Sequence, residues 1–136
     1  MHVPVQPDRT SSVGSDVERD NMSRKPYKIV VNSLALEPAH GGEGMRRLVL
    51  QQSDDISPNI EAFANTFLEP GGQFSWHKHE QHDEIMICLA GHGLIKFETG
   101  EEFSFEERDT VYIPKGIEHT ILSPEVATEY FFFRVI

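Results

Sequence analysis

Two histidines stand one residue apart at His77 and His79, a carboxylate follows at Glu84, and a third histidine lies far downstream at His119. In an extended strand alternate residues point to the same side, so His77 and His79 project together with Cα atoms roughly 6.5 Å apart. One ion fits between such a pair. Glu84 lies an odd number of residues beyond His79 and would face away on an unbroken strand. The segment EQHDE must therefore contain a turn or bulge that restores the parity. Three neutral imidazoles and one carboxylate form a donor set for a single divalent transition metal: Fe, Mn, Ni, Zn or Cu. An octahedral shell would leave two positions for water or substrate.

The elements that must position these groups are strands. From Tyr27 the chain runs through short apolar stretches, among them YKIVV, MRRLVLQ, IEAFANTFL, EIMICLA, LIKFE, TVYIP and EYFFFRVI. Turn residues interrupt them at Glu69-Pro70-Gly71-Gly72, Gly91-His92-Gly93, Thr99-Gly100 and Pro114-Lys115-Gly116. No long amphipathic helical period is present, although Glu37 to Gly44 suits one short helical turn. Many short strands at near-regular spacing predict an all-β antiparallel sandwich or barrel. Residues 1–25 are rich in Pro, Ser, Asp, Arg and Asn without a sustained apolar period, which predicts a disordered N-terminal tail before a single domain at 26–136. Met22, just before SRKPYKIVV, offers an internal translation start.

The spacing around the candidate ligands has a wider frame. Gly71, five residues, His77-x-His79, four residues, Glu84, six residues and Gly91 together resemble the first motif of the cupin family. Pro114-x-Gly116-x-x-His119 resembles the second. Two positions depart from the pattern: Arg108 stands where a glycine is usual, and Ser123 where an asparagine is usual. Neither is a ligand. The resemblance, over about residues 60–136, implies the cupin-type double-stranded β-helix, a jelly-roll barrel, with the metal inside. It also implies an enzyme acting on a small oxygen-bearing organic substrate, with dioxygenase chemistry expected. A non-redox isomerase, cyclase or lyase and a non-catalytic small-molecule-binding cupin are the alternatives. EIMICLA and YFFFRVI are apolar on both faces, whereas a solvated outer strand should alternate. Because sheet packing between subunits is common in the family, a homodimer is expected.

Further residues have chemistry to offer. His82, in the turn before Glu84, is a candidate acid or base. Arg46 and Arg47 are adjacent on an early strand, so one should point inward and can receive a substrate carboxylate; Arg46 is taken as the candidate. Met86 and Cys88 share the face of Glu84, and the lone cysteine is read as a small buried hydrophobe. Phe74 and Trp76 have parity opposite to the histidines and are expected to pack away from the metal face. Tyr112 and the phenylalanines at 131–133 are candidate cavity walls or plain core. Twelve basic against 22 acidic side chains give a formal charge of −10, which repels nucleic acid and anionic membranes. No apolar run approaches a membrane span, and with one cysteine the expected compartment is the cytoplasm.

Overall fold

The computed structural model describes residues 24–136. The chain separates into two units, residues 1–34 and 35–136. The predicted tail falls almost wholly outside the described residues. Residues 24–30 have no regular structure, and Val31–Ser33 form one 3-10 turn, so the strand expected at YKIVV is absent. The local cause is Ser33. Its hydroxyl and its amide both donate to the Val30 carbonyl, at 2.7 and 2.9 Å, and close a turn where strand pairing would have needed that oxygen.

In the second unit the described residues form ten strands in two antiparallel sheets, a jelly roll as expected. The larger sheet contains β1 (Glu37–Pro38), β2 (Met45–Gln51), β3 (Ile60–Leu68), β5 (Asp83–Ala90), β8 (Thr110–Ile113) and β10 (Thr128–Val135), in the order β1-β2-β3-β10-β5-β8. The smaller contains β4 (Gly72–His77), β6 (His92–Phe97), β7 (Glu102–Glu106) and β9 (His119–Ser123), in the order β4-β9-β6-β7. One face of each sheet supplies the core: Met86, Cys88, Tyr130 and Phe132 from the larger, Phe74, Ile95, Phe105 and Ile121 from the smaller. Cys88 is fully buried and burial pushes its thiol pKa up, which fits the inert hydrophobe. The helical turn expected between Glu37 and Gly44 is a single 3-10 turn at His40–Gly42. No helix among the described residues is long and apolar enough to cross a membrane.

Arg108 adopts φ 78°, the left-handed conformation that favours glycine, and its amide donates to Cys88 O at 2.7 Å. The turn before β8 thus forms with an arginine in the left-handed conformation. Ser123 is fully buried, and its hydroxyl donates to Glu69 O at 2.8 Å, tying the end of β9 to the loop that enters β4.

Candidate metal centre

His77 ends β4, His119 begins β9, and these two are register partners across the pair. Between Phe74 and His77, β4 spends one residue more than β9 does between Ile121 and His119. That bulge reverses the parity of the strand. Phe74 therefore turns into the core, 9% exposed and beside Tyr130 and Phe132, rather than packing away from the metal face as its spacing predicted. The strand stops at His77, so His79 reaches the same centre from the loop instead of from the strand position assumed for it. Glu84 comes from β5 in the opposite sheet.

The donor atoms of His77, His79, Glu84 and His119 all lie within 4.8 Å of one another. Glu84 Oε1 is 3.3 Å from His79 Nε2 and 3.8 Å from His119 Nε2. Each outer nitrogen that the structure partners is held by backbone. His77 Nδ1 is 2.6 Å from Ser75 O, and His119 Nδ1 is 3.0 Å from Ile117 O. A carbonyl only accepts, so both Nδ1 atoms carry the proton and both Nε2 lone pairs are left for the centre. The Nε2 atom of His119 is buried and has no hydrogen-bond partner, and that of His79 is buried with only Glu84 Oε1 near it. Leaving such an atom unsatisfied costs about 1–3 kcal/mol. Protonation offers little relief at His119, where burial first of all pushes the imidazolium pKa down. A cation among these four donors satisfies them together, and the set fits the metals expected from the sequence.

Glu84 is 3% exposed. Burial by itself would raise its pKa, but His79, Arg134 and His119 together outweigh it and hold the carboxyl below its ordinary value. Arg134 Nε lies 3.4 Å from Oε2, which leaves Oε1 facing the histidines. Arg134 was not singled out by the sequence. The signal was there: it is the one basic residue in EYFFFRVI and shares parity with the buried Tyr130 and Phe132.

A cavity of about 280 Å³ opens on this cluster, lined by His77, His79, Glu84 and Arg134, by Ala62, Ala64 and Thr66 of β3, and by Arg46, Leu48, Phe74, Trp76 and Phe132. Arg46 is thus the inward arginine. Arg47 points the other way, its guanidinium 5.3 Å from the Phe67 ring. His82 does not line the cavity. Its ring lies 4.6 Å from that of His79, and burial followed by the neighbouring His79 and Arg134 lowers its pKa. Met86 and Cys88 are core, Phe132 is a cavity wall, and Tyr112 is 57% exposed with its hydroxyl on Asp83. Trp76, expected to pack away, stands on the cavity wall at 47% exposure.

Residues 66–131 match the Cupin domain family. A Bacillus subtilis protein, YdbB, is 40% identical over 48 residues, covering 35% of this chain and 42% of that protein. The mannose-1-phosphate guanylyltransferase of Escherichia coli is 35% identical over 57 residues, 42% of this chain and 12% of that enzyme. The chain therefore spans less than half the length of these relatives. Among solved structures, a predicted oxalate decarboxylase from Thermotoga maritima superposes with a TM-score of 0.69 at 22% identity, over 78% of this chain and 96% of that one. The polyketide cyclase RemF from Streptomyces resistomycificus does so with 0.70 at 14% identity, over 82% and 80%. Identities this low speak for the fold alone.

Proposed function

The chain belongs to the cupin superfamily, and from that premise we propose that it is a metal-dependent enzyme acting on a small oxygen-bearing organic substrate, with dioxygenase-type chemistry. The observation that carries this reading is the buried, unpartnered Nε2 of His119 with donor atoms of His77, His79 and an ionised Glu84 within 4.8 Å, at a cavity of substrate size. His77, His79, Glu84 and His119 would hold the ion. Iron, nickel or copper would supply redox chemistry with O2, and zinc or manganese Lewis acidity. The chain's own part is to keep Glu84 ionised and the donors oriented. Arg134 fixes the Glu84 carboxylate, two backbone carbonyls fix two imidazole tautomers, and Phe74, Phe132, Ala62 and Ala64 keep the wall apolar.

Elemental analysis of the purified protein, then O2 uptake by iron-loaded protein with a panel of enols, thiols and aromatics, tests the reading. One metal per chain and substrate-dependent O2 uptake are expected. Substrate loss without O2 uptake would replace the dioxygenase with a Lewis-acid enzyme, and a chain that takes up no metal would overturn the reading.

We also propose a homodimer. On the face of the larger sheet opposite the cavity, Phe63 stacks on Phe133 with centroids 4.2 Å apart and meets Phe131 edge-on at 4.9 Å. These rings lie on adjacent strands and are only half-buried. A second copy is assigned to cover them. Sedimentation at tens of micromolar protein should give twice the chain mass; a monomer would sink the dimer.

A further inference from the structure

Beyond the metal reading, and resting on it, we infer that the cavity takes an organic acid whose carboxylate is received by Arg46, with an apolar body separating that carboxylate from the oxygen donor at the histidine end. Strand register gives the layout. Arg46 is opposite Thr66, Thr66 opposite Tyr130, and Tyr130 opposite Cys88, whereas Glu84 is opposite Arg134 and Arg134 opposite Ala62. Arg46 therefore sits four residues along the strands and three strands across from Glu84. The rung between the two ends carries Leu48, Ala64 and Phe132, all on the cavity wall. One polar pole, an apolar floor widened by Ala62 and Ala64, and a second polar pole follow in sequence. A round space of about 280 Å³ is roughly 8 Å across, room for one ring with a short side chain.

The two arginines on the wall are not equivalent. Arg134 is committed, its Nε to Glu84 at 3.4 Å and its Nη1 to Glu61 at 3.6 Å. Arg46 is held through Nε alone, by Glu37 at 2.9 Å, and its two Nη groups have no partner among the described residues. A surface ion pair is the plain use of Arg46, yet its side chain is 26% exposed against 47% for Glu37. Gripping Nε while leaving the planar Nη edge open is the arrangement that receives a carboxylate. Glu43, the other carboxylate on the wall besides Glu84, is taken up by the Ser75 amide at 2.7 Å and by the Ser75 hydroxyl. In a chain of formal charge −10, an anion needs such a local cation to enter at all.

The test uses the sole tryptophan, Trp76, which lines the cavity and reports occupancy by fluorescence. Zinc-loaded protein is titrated with para-hydroxyphenylpropanoate and with its uncharged primary amide. The acid should bind about tenfold or more tightly than the amide. Arg46→Gln should erase that preference, Arg46→Lys should restore part of it, and Arg47→Gln, the same charge change on the opposite face, should leave it intact. Acid and amide binding alike, no binding of the acid at millimolar concentration, or equal losses in the Arg46→Gln and Arg47→Gln variants would each overturn the inference. The metal reading is judged separately by removing zinc: binding that ignores zinc but needs Arg46 would keep the carboxylate pole and discard the metal site. Binding that needs zinc but ignores Arg46 would do the reverse.

Discussion

Replacing His119 with phenylalanine is expected to weaken zinc binding about a hundredfold while changing the stability of the metal-free protein by only about 1 kcal/mol. Metal binding by four ligands releases about 10–16 kcal/mol, so one ligand accounts for roughly a quarter, or about two decades of affinity. At a zinc concentration near a thousand times the parent Kd, the parent gains about 4 kcal/mol and the variant only about 1.4. In a domain of this size the difference lowers the melting temperature of the zinc-saturated variant by roughly 10 °C. The metal-free comparison is expected to differ far less. His119 is fully buried with an unpartnered Nε2, and Phe97 and His77 are its ring neighbours; an apolar ring removes that desolvation penalty but gives up the Nδ1–H bond to Ile117 O, so the two changes largely offset. Calorimetric titration with zinc and paired thermal melts check both halves. An equal zinc-induced rise in melting temperature for parent and variant would place the ion elsewhere.

The second large effect is expected at Gly93, in β6 between β7 and β9. A Cβ there would fall well inside van der Waals contact of the Leu122 carbonyl oxygen and 2.9 Å from Phe105 Cζ. Leu122 O belongs to the backbone of β9, the strand that begins with His119, so relief requires moving the β6–β9 seam. Gly93→Ala should cost about 3 kcal/mol or more and lower the melting temperature by roughly 10 °C. Gly100→Ala makes the contrast: nothing lies within 4 Å of its Cβ, and only the positive φ of 98° is strained, at about 1 kcal/mol. Chemical denaturation of the three proteins decides. If Gly93→Ala unfolds within experimental error of the parent, the β6–β9 register is wrong.

The site was written into the chain at two levels of range. Residue types and spacing were enough to nominate the cluster of His77, His79, Glu84 and His119, and strand parity was enough to turn one of two adjacent arginines inward. The bulge in β4 was not accessible in that way. No glycine marks it, and its support comes from Glu43, whose carboxylate receives the Ser75 amide at 2.7 Å from 32 positions upstream. A backbone donor satisfied by so distant a side chain leaves no trace in a local pattern. The same holds for Arg134, whose meaning depends on Glu84 lying opposite it across β5 and β10. At YKIVV the failure was of the other kind. β-branched composition argued for a strand, and a serine-closed turn three residues on prevailed.

The two tautomer-setting contacts, from His77 to Ser75 O and from His119 to Ile117 O, are made to main chain two positions upstream. Every amino acid carries that oxygen. Ser75 and Ile117 can therefore drift in side chain without altering which nitrogen each imidazole presents, and neither histidine depends on a co-evolving partner for its orientation. Side-chain variation at these two positions, beside intolerance at the four donors and the arginine behind Glu84, is the pattern these main-chain contacts allow around the centre.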